Sequence, residues 1–166
     1  MSVRTVVIGL GNPLMSDDGI GLAALQLVRE WDIAPEVDLV DGGTWGMQLL
    51  PAIEDAGRLL FLDAINTGAC PGTLTRLSRE ELPRFLETKV SPHQVDLKDA
   101  LAVAEFRGRL PHETVAIGIQ PATVALGMDV SPAAGAALVT MLAAVRRQLE
   151  TWGHRVTVNA EAPASA

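Results

Sequence analysis

Asp18, Asp63 and His93 are side chains that could hold a metal ion or move a proton, and each stands where a backbone element begins or ends. Asp17 and Asp18 close a loop and open a helical pattern, where the helix dipole favours an ionised carboxylate. Asp63 ends the apolar run RLLFLDA, and a carboxylate there is expensive to bury without a partner. His93 falls in Ser91-Pro92-His93-Gln94, which reads as a helix start. The positive end of a helix dipole opposes protonation of an imidazole and so favours the neutral form that ligates metals. Two oxygens and one nitrogen, with positions left for water or substrate, suit nickel, zinc or manganese alike. Each residue also has a plain structural role open to it. Asp17 or Asp18 can cap a helix, Asp63 can satisfy a turn, and a lone histidine is commonly structural.

The elements that must bring these residues together alternate along the chain. Arg4–Gly9 reads as a buried strand, followed by the loop Leu10–Asp17 and a helical pattern from Asp18 to about Trp31. Val37–Val40 is a second strand, Met47–Ala56 a second helix and Arg58–Ala64 a third strand. Leu74–Leu77 fits a short edge strand, Glu80–Leu86 a helical turn, and Thr114–Ile119 another buried strand. Ser131-Pro132 opens the longest helix, and Gly153 can end it. This alternation predicts an α/β fold of three layers, α/β/α, with a twisted, mainly parallel sheet of about five strands between helices. A single domain is expected over residues 1–153, with residues 154–166 as a frayed tail. In such sheets, sites form beyond the carboxyl ends of the strands, where strand order reverses. For the order 2-1-3-4 that crevice lies between the first and third strands, so the loop after Gly9 and the residues around Asp63 should meet there.

Composition removes several classes of function. Thirteen Lys and Arg against twenty Asp and Glu give a formal charge of -7, with no basic cluster to attract phosphate. Nucleic acid and anionic membrane surfaces are therefore not expected partners. The single cysteine, Cys70, has no base near it in sequence and can form no intrachain disulfide. No export signal or membrane span is apparent, so a cytoplasmic protein is expected. No sustained heptad or surplus apolar stripe calls for a second copy, so a monomer is the simpler expectation. His112 and His154 read as surface residues, and Trp31, Trp45 and Trp152 as packing, although Trp45 and Met47 could touch a partner. Gly9-Leu10-Gly11 begins like a dinucleotide fingerprint, but position 14 is Leu14 where a third glycine is needed, and two aspartates follow.

The stretch Gly9-Leu10-Gly11-Asn12-Pro13-Leu14-Met15-Ser16-Asp17-Asp18-Gly19-Ile20-Gly21 resembles the opening signature of the hydrogenase maturation proteases. Further landmarks follow in order: Asp41-Gly42-Gly43-Thr44, the strand ending Asp63-Ala64, Ser91-Pro92-His93-Gln94, and Gly118-Ile119-Gln120-Pro121. The resemblance covers roughly Val3 to Trp152. It implies an endopeptidase that removes a C-terminal extension from the large-subunit precursor of a nickel–iron hydrogenase once nickel is in place. It also implies that Asp18, Asp63 and His93 are the metal-contacting and catalytic residues. The nickel would come from the substrate, and no organic cofactor is expected. Some members carry Glu at the position of Asp18; the shorter side chain here keeps a carboxylate. Asp17 would orient the loop. The rival reading within the same fold is a non-catalytic protein that docks on, or senses, a nickel-loaded precursor.

Overall fold

A computed structural model describes residues 3–83 and 93–159, with side chains in the second block from residue 97 onward. The main sheet has five strands in the order β3-β1-β4-β6-β5. These are β1 (Thr5–Leu10), β3 (Val37–Gly43), β4 (Arg58–Ala64), β5 (Leu74–Ser78) and β6 (Glu113–Ile119). Every pairing is parallel except β5 with β6. Among the described residues, the α-helices that flank it are α1 (Ile20–Val28), α2 (Leu50–Asp55), α3 (His93–Phe106) and α4 (Pro132–Thr151). The three-layer expectation holds, and β1 does lie between the second and third strands of the chain's main sheet.

Strand alternation explains how one sheet feeds two cores. Val7, Leu60, Leu62 and Ile117 join the core under α1 and α4. Val6, Ile8, Leu59 and Phe61 join the core under α2 and α3. Because both faces are covered, β1 is buried along its whole length and β4 from Leu59 onward. Asp63 shares its parity with Leu59 and Phe61, so it belongs to the face that α2 and α3 cover.

The structure departs from the sequence reading in several places, each for a local reason. The first helical pattern splits into a 3-10 turn, Ser16–Gly19, and α1, which ends at Val28. Neither Asp17 nor Asp18 caps α1; the residue before it is Gly19, with no side-chain cap. The second pattern likewise begins as a 3-10 turn, Gly46–Leu49, before α2. β3 runs three residues beyond Val40 because its end still pairs with β1, through a bulge that sets Leu10 opposite Gly43. The ordered chain also extends past Gly153. Val156–Thr157 pairs antiparallel with Asp32–Ile33, as β7 with β2. His154, expected at the surface, is 6% exposed, with its Nε2 2.7 Å from Thr5 Oγ1. Residues 160–166, Ser91-Pro92 and the end of the Glu80–Leu86 turn lie outside the described residues.

Ser131 caps α4 as expected, accepting from Ala134 N at 3.3 Å. α1 is pressed onto the sheet at Gly21, where an added Cβ would sit 2.6 Å from the Leu10 carbonyl oxygen and clash with that of Leu62. Both clashing atoms are backbone and cannot rotate away. Gly21→Ala should therefore destabilise the fold by about 2–3 kcal/mol, the scale of an overpacked interior. Chemical denaturation measures this, and an unchanged midpoint would contradict the close approach.

Candidate active site

The site is built at the carboxyl-end rim of the sheet, where β1, β4 and β6 release their loops. The loop after β1 is tightly wound. Gly11 takes φ +123, and a Cβ there would strike the carbonyl of Asp18, so this position requires glycine. Asn12 Oδ1 accepts from Leu14 N at 3.0 Å, a turn typical of asparagine. Ser16 has φ +52, uncommon for a residue with a side chain. It is held there by Ser16 N–H donating to Gly127 O at 2.8 Å and Ser16 Oγ–H donating to Ala125 O at 2.7 Å. The surroundings fix a backbone that would not persist alone.

That turn aims two adjacent aspartates in different directions, and both are fully buried. Asp17 faces the loop after β6. Its Oδ2 accepts from Ala122 N at 2.8 Å, Thr123 N at 3.3 Å and Ser131 Oγ at 2.7 Å, while Oδ1 accepts from Ser131 N at 2.7 Å. Burial alone would raise its pKa; the hydrogen bonds from Ser131, Ala122 and Thr123 outweigh that and hold the carboxyl below the usual aspartate range. Asp17 is thus a clamp between two loops, as its expected orienting role requires. Asp18 turns back on its own loop, where Oδ2 accepts from Asn12 N at 2.9 Å.

Asp63 ends β4 on the next strand of the sheet, also fully buried, with Oδ1 accepting from Ala64 N at 2.8 Å. Its register partner on β6 is Gly118, which places no side chain beside it. Gln120 continues β6 past the sheet and fixes the loop that follows Asp63. Its Oε1 accepts from Thr67 N at 2.8 Å, and its Nε2 donates to Asn66 Oδ1 at 3.0 Å. Residue 93 is the first of α3, whose other end leads into the start of β6. A 14-residue helix spans about 21 Å, close to the length of a seven-residue strand, so α3 begins near the carboxyl-end rim. The His93 side chain lies outside the described residues.

The structure therefore sets the 3-10 turn that carries Asp18 against β4, which carries Asp63, as the strand-order rule anticipates. Among the described residues, no group of three or more His, Cys, Asp or Glu stands as a ready metal cluster. Cys70 is exposed and His112 lies on the surface. The sequence reading missed the roles of Gln120 and Ser131. A polar residue directly after the apolar run TVAIGI carried the signal for Gln120, by the same reasoning that singled out Asp63.

The dinucleotide reading fails on the loop itself. Every backbone N–H from Gly11 to Asp18 already donates within the protein: to Gly43 O, Asp18 Oδ2, Asn12 Oδ1, Asn12 O, Gly127 O, Thr123 O and Met15 O, with Pro13 having none. A phosphate would find no donors there. No helix among the described residues is long and apolar enough to cross a membrane.

Comparison with known proteins agrees with this architecture. A family model described as hydrogenase maturation protease matches residues 23–148. The hydrogenase expression/formation protein HupD of Rhodobacter capsulatus is 36% identical over 160 residues, covering 95% of this chain and 76% of that protein. The alignment with HoxM of Cupriavidus necator, 41% identical, covers 70% of this chain and only 58% of that relative. The hydrogenase 2 maturation protease of Escherichia coli is 35% identical, with 87% and 92% covered. Among solved structures, the hydrogenase maturating endopeptidase HybD from E. coli superposes with a TM-score of 0.88 at 31% identity, covering 92% of this chain and 96% of its own.

The clamp at Asp17 gives a prediction with a defined sign. Its lowered folded value means the unfolded chain binds the extra proton first. The stabilisation is complete above the ordinary aspartate value of about 3.9 and is lost as pH falls through the lower folded value. Asp17→Ala should cost about 1–2 kcal/mol at neutral pH, because it removes the acceptor of four partly buried hydrogen bonds. It should also flatten the acid limb of stability against pH. Denaturation midpoints between about pH 2 and 7 measure both; a variant with wild-type stability and an equally steep acid limb would contradict the clamp. On fold, ordered landmarks and sequence likeness together, the chain belongs to the hydrogenase maturation protease family, whose members are peptide-bond hydrolases.

Proposed function

We propose that this protein is the endopeptidase that removes the C-terminal extension of a nickel-loaded hydrogenase large-subunit precursor, reading the substrate's nickel through Asp18, Asp63 and His93. The observation that carries the reading is the pair of buried carboxylates at one rim of the sheet, Asp18 in the turn after β1 and Asp63 near the end of β4, beside loops braced by Asp17 and Gln120. Each carboxylate has oxygen lone pairs suited to a hard or borderline divalent cation, and a cation delivered by the substrate would draw on both. The backbone position of His93 at the start of α3 supports a third, nitrogen donor from the facing layer.

An incomplete set of protein donors suits a metal that arrives already bound to a partner. Hard carboxylate oxygens and an imidazole nitrogen are acceptable ligands for nickel, and open positions remain for the ligands the precursor supplies. The nickel would polarise the scissile carbonyl as a Lewis acid. Water is the nucleophile in this scheme. No G-x-S-x-G or H-E-x-x-H sequence is present to supply another mechanism. A carboxylate within reach of that water would take its proton.

Purified chain mixed with nickel-loaded precursor should shorten it, and nickel-free precursor should remain intact. Asp63→Asn and His93→Ala should each reduce the cleavage rate by about 100-fold or more, the scale of losing a group that touches the reacting centre. Mass spectrometry of the precursor reads the outcome. Full-rate cleavage by either variant would remove the proposed site. Stable complex formation with no shortening would instead favour the non-catalytic docking role.

A further inference from the structure

The loops at the carboxyl-end rim differ from the rest of the surface in two respects. They concentrate five of the ten large apolar side chains exposed among the described residues: Leu14 is 52% exposed, Trp45 62%, Met47 43%, Leu126 87% and Met128 78%. The backbone ties the loops that bear them into one surface. Gly127 N–H donates to Leu14 O and Gly11 N–H to Gly43 O, each at 2.9 Å. Exposed apolar groups scattered singly are ordinary; five on linked loops around one site are not.

The second respect is charge. The rim loops, residues 11–19, 44–49, 65–73 and 120–131, contain no Lys or Arg in a chain that has thirteen. They carry Asp17, Asp18 and Asp129, and Asp41 and Asp63 stand on the strands that lead into them. Asp41 and Asp129 are exposed. Arginines stand instead at the other edge, where Arg4, Arg58 and Arg107 pair with Asp38, Glu113 and Glu54. Among the described residues, the carboxyl-end rim is thus apolar and acidic, while the amino end pairs its arginines with carboxylates.

From this polarity we infer that the rim loops form a docking surface for a protein partner whose contact segment mixes apolar side chains with Lys or Arg. Trp45, Leu126 and Met128 supply apolar anchors, and Asp41 and Asp129 attract and orient the basic groups. The inference rests on the proposed function for its partner, the large-subunit precursor, and adds the chemistry of the contact. Asp18 belongs to one of these loops and Asp63 stands on the strand that leads into another, so one docking event would seat the partner beside the two buried carboxylates. Charge complementarity of this kind acts on association rate and orientation, and weakens with salt; buried aromatic and Met anchors act on dissociation.

The test uses the full chain and nickel-loaded precursor, with association read by biolayer interferometry and cleavage read separately. Asp41→Lys with Asp129→Lys should weaken association about tenfold or more at low salt, with the difference shrinking as ionic strength rises. Trp45→Ala with Met128→Ser should weaken it by about tenfold or more at any salt. Phe106→Ser, which alters a 92% exposed apolar side chain at the far end of α3, should change nothing. Equal affinity and KM for wild type and both rim variants, with cleavage intact, overturns the docking surface and leaves the proposed function standing. Binding that depends on the rim without any cleavage by wild type does the reverse.

Discussion

The carboxylate of Asp17 is the interaction on which the rim depends. One buried side chain accepts four hydrogen bonds from residues more than a hundred positions away, and it lies beside the strained backbone of Ser16. That anchor joins the bonds from Ser16 and Gly127 in holding the loop after β1 against the loop after β6. With it, Asp18 is held in a fixed orientation beside the end of β4. The cost of burying a charge is thus met by donors that themselves need acceptors. Three of these donors are backbone N–H groups in an irregular loop, where no sheet or helix ladder would satisfy them.

Much of this was legible in the residues, because the physical signals are local. Apolar runs of six or seven residues gave β1, β4 and β6, and Ser131-Pro132 gave the start of α4. Asp63 stood out as a charge in an apolar run. What could not be read depends on contacts distant in sequence. Asp17 looks like a helix cap from its neighbours alone; only the approach of residues 122–131 redirects it. Val156–Thr157 has no strand signal of its own, and forms because Asp32–Ile33 lies open beside it. The splitting of two helices into 3-10 turns followed by α-helix reflects how each loop must climb over the sheet edge, which no periodicity reports.

The two ends of the sheet serve different purposes. The amino end carries arginines in ordinary surface ion pairs, such as Arg4 with Asp38 at 2.7 Å, worth little to stability. The carboxyl end buries Asp17, Asp18 and Asp63 and exposes apolar loops. A protein that needed only to fold would gain nothing from that arrangement. A protein that must recognise a large partner and act on a metal inside it needs both parts in one place. The buried acids alone would attract any divalent ion, and the apolar loops alone would dock without discriminating a loaded partner from an empty one. Their adjacency makes the proposed reading economical, since one surface both finds the substrate and inspects it.

The central claim is that carboxylates of this chain enter the coordination of nickel carried by the precursor. X-ray absorption at the nickel edge measures that directly, comparing precursor alone with precursor freeze-quenched against this protein before turnover. The account predicts additional oxygen and nitrogen ligands on nickel in the complex, with the oxygen contribution reduced when Asp63 is replaced by Asn. A nickel spectrum identical in free and bound precursor, in a complex that goes on to be cleaved, would contradict it.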